Sequence, residues 1–185
     1  EIASADGVGL VIAARILGIQ LQQRIPGVDL MESICRMAAD NSKKDVRKPI
    51  TVGFLGGKRN IAEKTAHCLR EKYPGLNIAF TAEEWPGHPA SVHNEQYGNV
   101  KSNIPHVDML FVAVGVPKQE KWMAEHVGKL PVQIMMSVGG AFDYVSGEVR
   151  RAPFFVRSVG LEWLFRLVTQ PWRIKRQKAL LNFLM

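Results

Sequence analysis

Apolar residues along this chain follow two patterns in turn, one of helical period and one continuous. Gly7 to Leu17 is apolar nearly all round and stops at Gly18, which predicts a buried helix with Asp6 where an N-cap belongs. Pro26 opens a second helix, expected from about Gly27 to Asp40, before a lysine-rich loop at Ser42–Lys48. Ile50–Leu55 is a continuous apolar run ending in Gly56-Gly57, which predicts a buried strand. An amphipathic helix over Asn60–Tyr73 follows, closed by Pro74-Gly75, and then a short strand over Asn77–Phe80. Thr81–Pro105 is polar and contains Gly and Pro; within it only Ala90–Ser102 has a helical look. Strands over 107–114 and 132–138 flank a helix over 118–127, and beyond Pro153 the pattern is helical to the end, broken at Pro171. The alternation predicts an α/β fold, a parallel sheet with helices on both faces.

The stretch from Val107 to Pro153 says most about function. Two apolar runs each end at a glycine, as expected of parallel strands buried on both faces, and each is followed by polar side chains. These are Lys118, Gln119 and Glu120 after the first run, and Asp143 after Gly139-Gly140 in the second. Ligands of open α/β sheets bind beyond the carboxyl ends of the strands, so two neighbouring polar strand ends predict one site.

Composition narrows the class. A chain of 185 residues that is 46% hydrophobic can bury one good core. It begins at Glu1 with residues that already read as core, and is therefore read as the C-terminal portion of a longer chain. No run of 18 apolar residues exists to span a bilayer as a helix. Cys35 and Cys68 sit in predicted helices among apolar neighbours, which favours buried, reduced thiols and suits a cytosolic protein. The net charge of +7 is concentrated: residues 150–185 hold eight basic residues against the single acid Glu162, while the remaining 149 residues balance 16 against 16. The tail therefore calls for an anionic partner.

Each candidate residue also has a purely structural reading. Gly53-x-x-Gly56-Gly57 could offer backbone N–H groups to a phosphate, but serves any tight strand-to-helix turn equally well, and no full GxGxxG or P-loop is present. Asp6 is a natural helix cap, although Gly7 and Gly9 beside it permit a close backbone approach that a cap does not require. Arg24 precedes the Pro26-Gly27 turn, where arginines are either solvated or bind phosphate. His67, His88, His93, His106 and His126 show no metal-ligand spacing. In the tail, Trp163, Phe165, Trp172, Phe183 and several leucines alternate with Arg166, Arg173, Lys175, Arg176 and Lys178. Such a segment can lie in a membrane interface, pack as terminal helices, or track nucleic-acid phosphates, and periodicity does not rank the three.

An ordered set of motifs ranks them. Asp6-Gly-x-Gly, Arg24-x-x-Gly27-x-Asp29, Phe54-Leu55-Gly56, Gly115-x-Pro117-Lys118-Gln119-Glu120-x-Trp122, Gly139-Gly140-x-Phe142-Asp143, Gly147, Arg151-Ala-Pro153 and Gly160-Leu-Glu162-Trp163 occur in this order. They are followed by Arg166, Pro171-Trp172-Arg173 and Arg176, and together they resemble the WecG/TagA/CpsF family of bacterial glycosyltransferases over nearly the whole chain. The resemblance implies a Rossmann-like α/β glycosyltransferase domain at residues 1–159, without its N-terminal part, and a basic C-terminal helical appendage at 160–185. It implies an inverting, metal-independent transfer of an N-acetylmannosamine-type sugar, or its uronic acid, from a UDP donor to a polyprenyl-diphosphate-linked sugar. The product would enter teichoic acid or another surface polymer, with no cofactor beyond the donor and no nucleic acid. The enzyme would be cytoplasmic, peripheral on the inner face of the cell membrane, with a homo-oligomer left open.

Residue by residue, the resemblance makes Asp6 the base and Arg24 a pocket arginine for the lipid diphosphate or the leaving group. Gln119 would contact sugar hydroxyls. Lys118, Gly139, Gly140, Asp143 and the Gly56-Gly57 turn would face the UDP, and Arg166, Arg173 and Arg176 would meet the lipid diphosphate at the membrane. The chain departs from the family pattern in lacking a Thr-x-Asn motif that helps line the pocket, and in carrying Ile25-Pro26 beside Arg24. Two rival classes make different demands. An oxidoreductase-like dinucleotide domain needs an acid at the end of the second strand after GxGxxG, and the sequence offers neither. A nucleic-acid module needs salt-sensitive binding through Arg173, Arg176 and Lys178.

Overall fold

A computed structural model of the chain describes residues 8–19, 24–43, 48–83 and 105–171. Asp6, Arg173, Arg176 and the helix expected within Ala90–Ser102 lie outside them. The chain forms two compact units, one within Ile25–Val149 and one from Gly7–Arg24 with Arg150–Met185.

The first unit is built on four parallel strands, β1 (Thr51–Gly56), β2 (Asn77–Ala82), β3 (Val107–Ala113) and β4 (Val132–Ser137). Their order is β2-β1-β3-β4. Alternate residues of the central strands feed two cores, which is how a parallel sheet comes to be covered on both faces. On one face Val52, Phe54, Met109 and Phe111 pack with helices α2 (Gly27–Lys43), α3 (Ile61–Lys72) and α5 (Ala141–Val145). On the other, Leu55, Val107, Leu110 and Val112 pack with Trp122 and Met123 of α4 (Lys118–His126). Helix α2 contributes Val28, Met31, Cys35, Ala38 and Ala39, the spacing of one apolar helix stripe.

Two expectations from the sequence change here. β3 is buried nearly throughout, but β4 is half-exposed, with Ile134 58% accessible. Among the described residues β4 is an edge strand, paired only with β3, so an apolar run alone does not distinguish it from a central strand. The five-residue α5 is also new; it follows Gly139-Gly140 and is pinned by Phe142, which is fully buried and meets the Phe54 ring edge-on at 5.6 Å. The buried Thr65 hydroxyl of α3 donates to the Phe142 carbonyl at 3.2 Å. Burial of such a ring is worth about 1.5–3 kcal/mol, enough to hold so short a helix in place.

The cysteines are free among the described residues, Cys35 buried and Cys68 intermediate. Burial pushes the Cys35 thiol up to about 12, and the nearby Glu32 charge adds to the effect, so Cys35 is an inert core group.

At the amino ends of the strands, Asp108 of β3 is tied to β1. Its carboxylate accepts the Thr51 N–H at 2.8 Å and the Thr51 hydroxyl at 2.7 Å. The backbone hydrogen bond from Thr51 is the main reason its carboxyl sits below the usual range, with Lys48 and His106 contributing charge. A lowered folded-state value means that this stability is present above the unfolded value of about 3.9 and is lost as pH falls through the folded one. Asp108→Asn is expected to cost about 1–3 kcal/mol at pH 7. The gap should narrow once pH drops below about 4. Urea midpoints at pH 7 and pH 3 check this; a pH-independent gap would show that the charge of Asp108 contributes nothing.

The second unit contains α1 (Val8–Ile16), α6 (Phe154–Ser158) and α7 (Glu162–Thr169). α1 is predicted to be buried all round, but its C-terminal end is exposed: Ile16 is 80% and Leu17 73% accessible. Phe154, Phe155, Val159 and Val168 are exposed as well. This unit holds ten basic residues against the single acid Glu162. Exposed apolar side chains combined with excess positive charge suit an anionic, partly apolar surface. No helix among the described residues is long and apolar enough to cross a membrane.

Candidate functional site

The strand order places a reversal between β1 and β3, since β2 lies on one side of β1 and β3 on the other. Loops leaving the carboxyl ends on either side of such a reversal diverge, and the crevice between them is where open α/β sheets take ligands. Neighbouring strands β1, β3 and β4 bring Gly56-Gly57, Gly115–Gln119 and Gly139–Asp143 to this one edge of the sheet.

The three turns differ in what they leave accessible. At Gly56, with φ +108°, an added Cβ would lie 2.6 Å from the Ala113 carbonyl carbon and 2.8 Å from its oxygen. The glycine lets two adjacent strands approach at their ends, and the Gly57 N–H donates to the Ala113 carbonyl at 3.2 Å. The Asn60 N–H just before α3 likewise donates, to the carboxylate of Glu83. Two N–H groups of this turn are thus spent on the protein itself. Above Gly115 and Gly139, by contrast, a Cβ would meet nothing within 4 Å. The open ground lies at β3 and β4.

Glu83 is a residue that the sequence reading missed. β2 runs to Ala82, two residues beyond the predicted end, so an acid does follow the second strand. The signal was the strand's strict alternation of exposed and half-buried positions, which continues through Thr81 and Ala82. GxGxxG is still absent, so the acid alone does not make a dinucleotide site.

In the first turn of α4, Gln119 is 3% accessible and closes the loop from β3. Its Oε1 accepts the Gly115 N–H at 3.2 Å and its Nε2 donates to Glu120 Oε1 at 2.8 Å. Lys118 beside it is exposed at the start of α4. In the β4 loop, Asp143 is half-buried on α5, next to the anchored Phe142. The Asp143 carbonyl accepts the Val149 N–H at 2.9 Å, tying α5 to the turn that follows it.

Arg24 and Arg166 belong to the second unit. The Arg24 guanidinium donates to Glu162 Oε2 at 3.2 Å, and Arg151 Nε lies 3.6 Å from Glu162 Oε1. Arg166 sits half-buried on α7. Of the residues singled out from sequence, Gly56, Gly57, Lys118, Gln119, Gly139, Gly140 and Asp143 therefore share one sheet edge, while Arg24 and Arg166 share the basic unit.

The chain matches the family described as the glycosyl transferase WecG/TagA/CpsF family over residues 1–185. It is 32% identical to a Staphylococcus aureus (strain MRSA252) N-acetylglucosaminyldiphosphoundecaprenol N-acetyl-beta-D-mannosaminyltransferase, over 97% of this chain and 66% of the relative. A protein of the same name from Bacillus spizizenii is 31% identical over 95% of this chain and 63% of its own length. The chain thus spans just under two thirds of the length of these relatives.

Proposed function

The chain belongs to the WecG/TagA/CpsF family of glycosyl transferases, and from that premise we propose that the full-length protein transfers an N-acetylmannosamine-type sugar from a UDP donor to a polyprenyl-diphosphate-linked sugar. The observation that carries this reading is the match of nearly the whole chain to relatives named as mannosaminyltransferases acting on N-acetylglucosaminyldiphosphoundecaprenol. The turns at Gly115 and Gly139, where an added Cβ would meet nothing within 4 Å, support it by standing open beyond the carboxyl ends of β3 and β4, where α/β sheets take ligands.

In the reaction proposed, the acceptor hydroxyl attacks the anomeric carbon as the bond to the donor's diphosphate breaks, and UDP leaves with that electron pair. Asp6 takes the hydroxyl proton. Charge grows on the departing diphosphate and calls for cations aimed at it, the part assigned to Arg24 and Lys118, while the tail arginines Arg166, Arg173 and Arg176 meet the lipid diphosphate at the membrane. Asp143 and the Gly139-Gly140 turn receive the nucleotide, with Gln119 holding the loop that faces the sugar.

The acceptor's lipid lies in a membrane, and the second unit suits its cytoplasmic face: excess positive charge for anionic headgroups, exposed Phe154, Phe155 and Trp163 for the interface. Full-length protein should bind UDP, and should bind vesicles containing anionic lipid more tightly than neutral ones. Removing the residues after Val159 should weaken vesicle binding at least about tenfold, since each basic residue near the surface is worth about 1 kcal/mol. Failure to bind UDP would remove the donor assignment. Vesicle binding unchanged by the truncation would reduce the tail to a packing element.

A further inference from the structure

Glu83 follows β2 directly, at the carboxyl edge of the sheet. The register sets Ala82 beside Leu55 and, on the other side of β1, Ala113 beside Gly56. Glu83 thus stands level with the Gly56-Gly57 turn, one strand spacing, about 5 Å, out from the crevice between β1 and β3. Its Oε1 accepts the Asn60 N–H, which fixes the carboxylate against the start of α3. Glu83 is half-buried, and among the described residues its Oε2 has no partner.

Capping α3 does not require this acid. Asn60-x-x-Glu63 has the residues of a capping box, in which Glu63 would reach back to the same N–H. The structure instead gives that N–H to an acid 23 residues on, at the end of another strand. The beginning of α3 is also met by the segment that carries Asp143: the Thr65 hydroxyl donates to the Phe142 carbonyl, and Lys64 pairs with Glu148. Asp143, which the donor reading sets against the nucleotide, and Glu83 therefore belong to segments that meet on one helix.

A carboxylate with one oxygen committed and the other open only accepts hydrogen bonds, which suits the hydroxyls of a vicinal diol. An acid at the end of the second strand of a parallel strand–helix–strand unit is where open α/β sheets meet a ribose. What the missing GxGxxG removes is the glycine cradle for a pyrophosphate, not the acid's capacity for a diol. A carboxylate near a diphosphate repels it, and Lys58 and Arg59, exposed in the turn beside Asn60, offset that charge.

We propose that Glu83 recognises the ribose of the donor nucleotide, its carboxylate accepting a hydrogen bond from a ribose hydroxyl while it holds the Asn60 N–H. The proposal rests on the UDP-donor reading and adds to it the residue that selects a ribonucleotide over a deoxyribonucleotide.

Full-length wild type, Glu83→Ala and Glu83→Gln are titrated by calorimetry with UDP, 2′-deoxy-UDP and 3′-deoxy-UDP. Wild type is expected to bind UDP at least about tenfold more tightly than one of the two deoxy analogues, because a site built for a hydroxyl rejects the ligand that lacks it. Glu83→Ala should weaken UDP about tenfold and that analogue scarcely at all, bringing the preference to within about twofold. In Glu83→Gln the amide oxygen still serves the Asn60 N–H and the amide nitrogen cannot accept from a hydroxyl. The preference should therefore fall there too, in a variant that keeps the turn should Glu83→Ala fail to fold. A purely capping role would lower all three affinities together. Variants that keep the wild-type preference, or a wild type that binds UDP without one, overturn this proposal alone. A wild type that binds no UDP removes the reading beneath it.

Discussion

Full-length protein carrying Asp6→Asn is expected to transfer sugar roughly 10²–10⁴ times more slowly, with donor affinity nearly unchanged. The acceptor hydroxyl is a poor nucleophile until its proton is removed, and that proton must go somewhere as the new bond forms. An amide has the shape of the carboxylate but no capacity to take the proton, so the loss should fall on kcat while binding survives. Asp6 is flanked by Gly7 and Gly9, which permit a substrate to approach the backbone closely. Single-turnover rates with UDP binding measured alongside separate the two effects. Equal turnover by Asp6→Asn and wild type would place the base elsewhere.

Gly56→Ala should be the most damaging small substitution in the sheet. Its φ of +108° is unfavourable for any L side chain, and the new Cβ would stand 2.6 Å from a backbone carbon of Ala113. Strain from the dihedral alone is about 1–2 kcal/mol. The contact adds more, because backbone in a central strand pair cannot rotate away as a side chain can. A total of at least about 3 kcal/mol is expected, a large part of the 5–15 kcal/mol that stabilises a typical domain. Gly139→Ala is the control: φ is +50° with nothing within 4 Å, so its cost should stay near about 1 kcal/mol. Denaturant midpoints of the two variants measure the difference. Similar midpoints would mean that β1 and β3 do not approach as closely as described.

The contrast between these glycines also shows where sequence reasoning reaches its limit. Gly56 and Gly139 look alike in sequence, each closing an apolar run, yet one is packed against backbone and the other faces open space. That distinction depends on which strands become neighbours, and strand order is not written in periodicity. The same gap explains β4, whose apolar run reads like that of β3 although it lies at the edge. The parallel α/β class and the helices α2, α3 and α4 were legible because period and punctuation agree there: Pro26 before α2, Pro74-Gly75 after α3. α5 escaped notice because five residues are too few for a helical period to show, and it is held by the long-range Phe142–Phe54 contact. At the site, Lys118, Gln119 and Asp143 were found by their place after strand ends. The partnership of Glu162 with Arg24 joins residues 138 positions apart, and neither segment alone announces it.

Transfer of labelled N-acetylmannosamine from its UDP donor to an N-acetylglucosaminyl-diphosphate polyprenyl lipid, by the full-length protein, tests the account most directly. The account predicts that label enters the lipid phase with stoichiometric release of UDP and inversion at the anomeric carbon. Label that stays with the nucleotide, for this donor and for its uronic acid, in a preparation that is folded and binds the acceptor lipid, would contradict it.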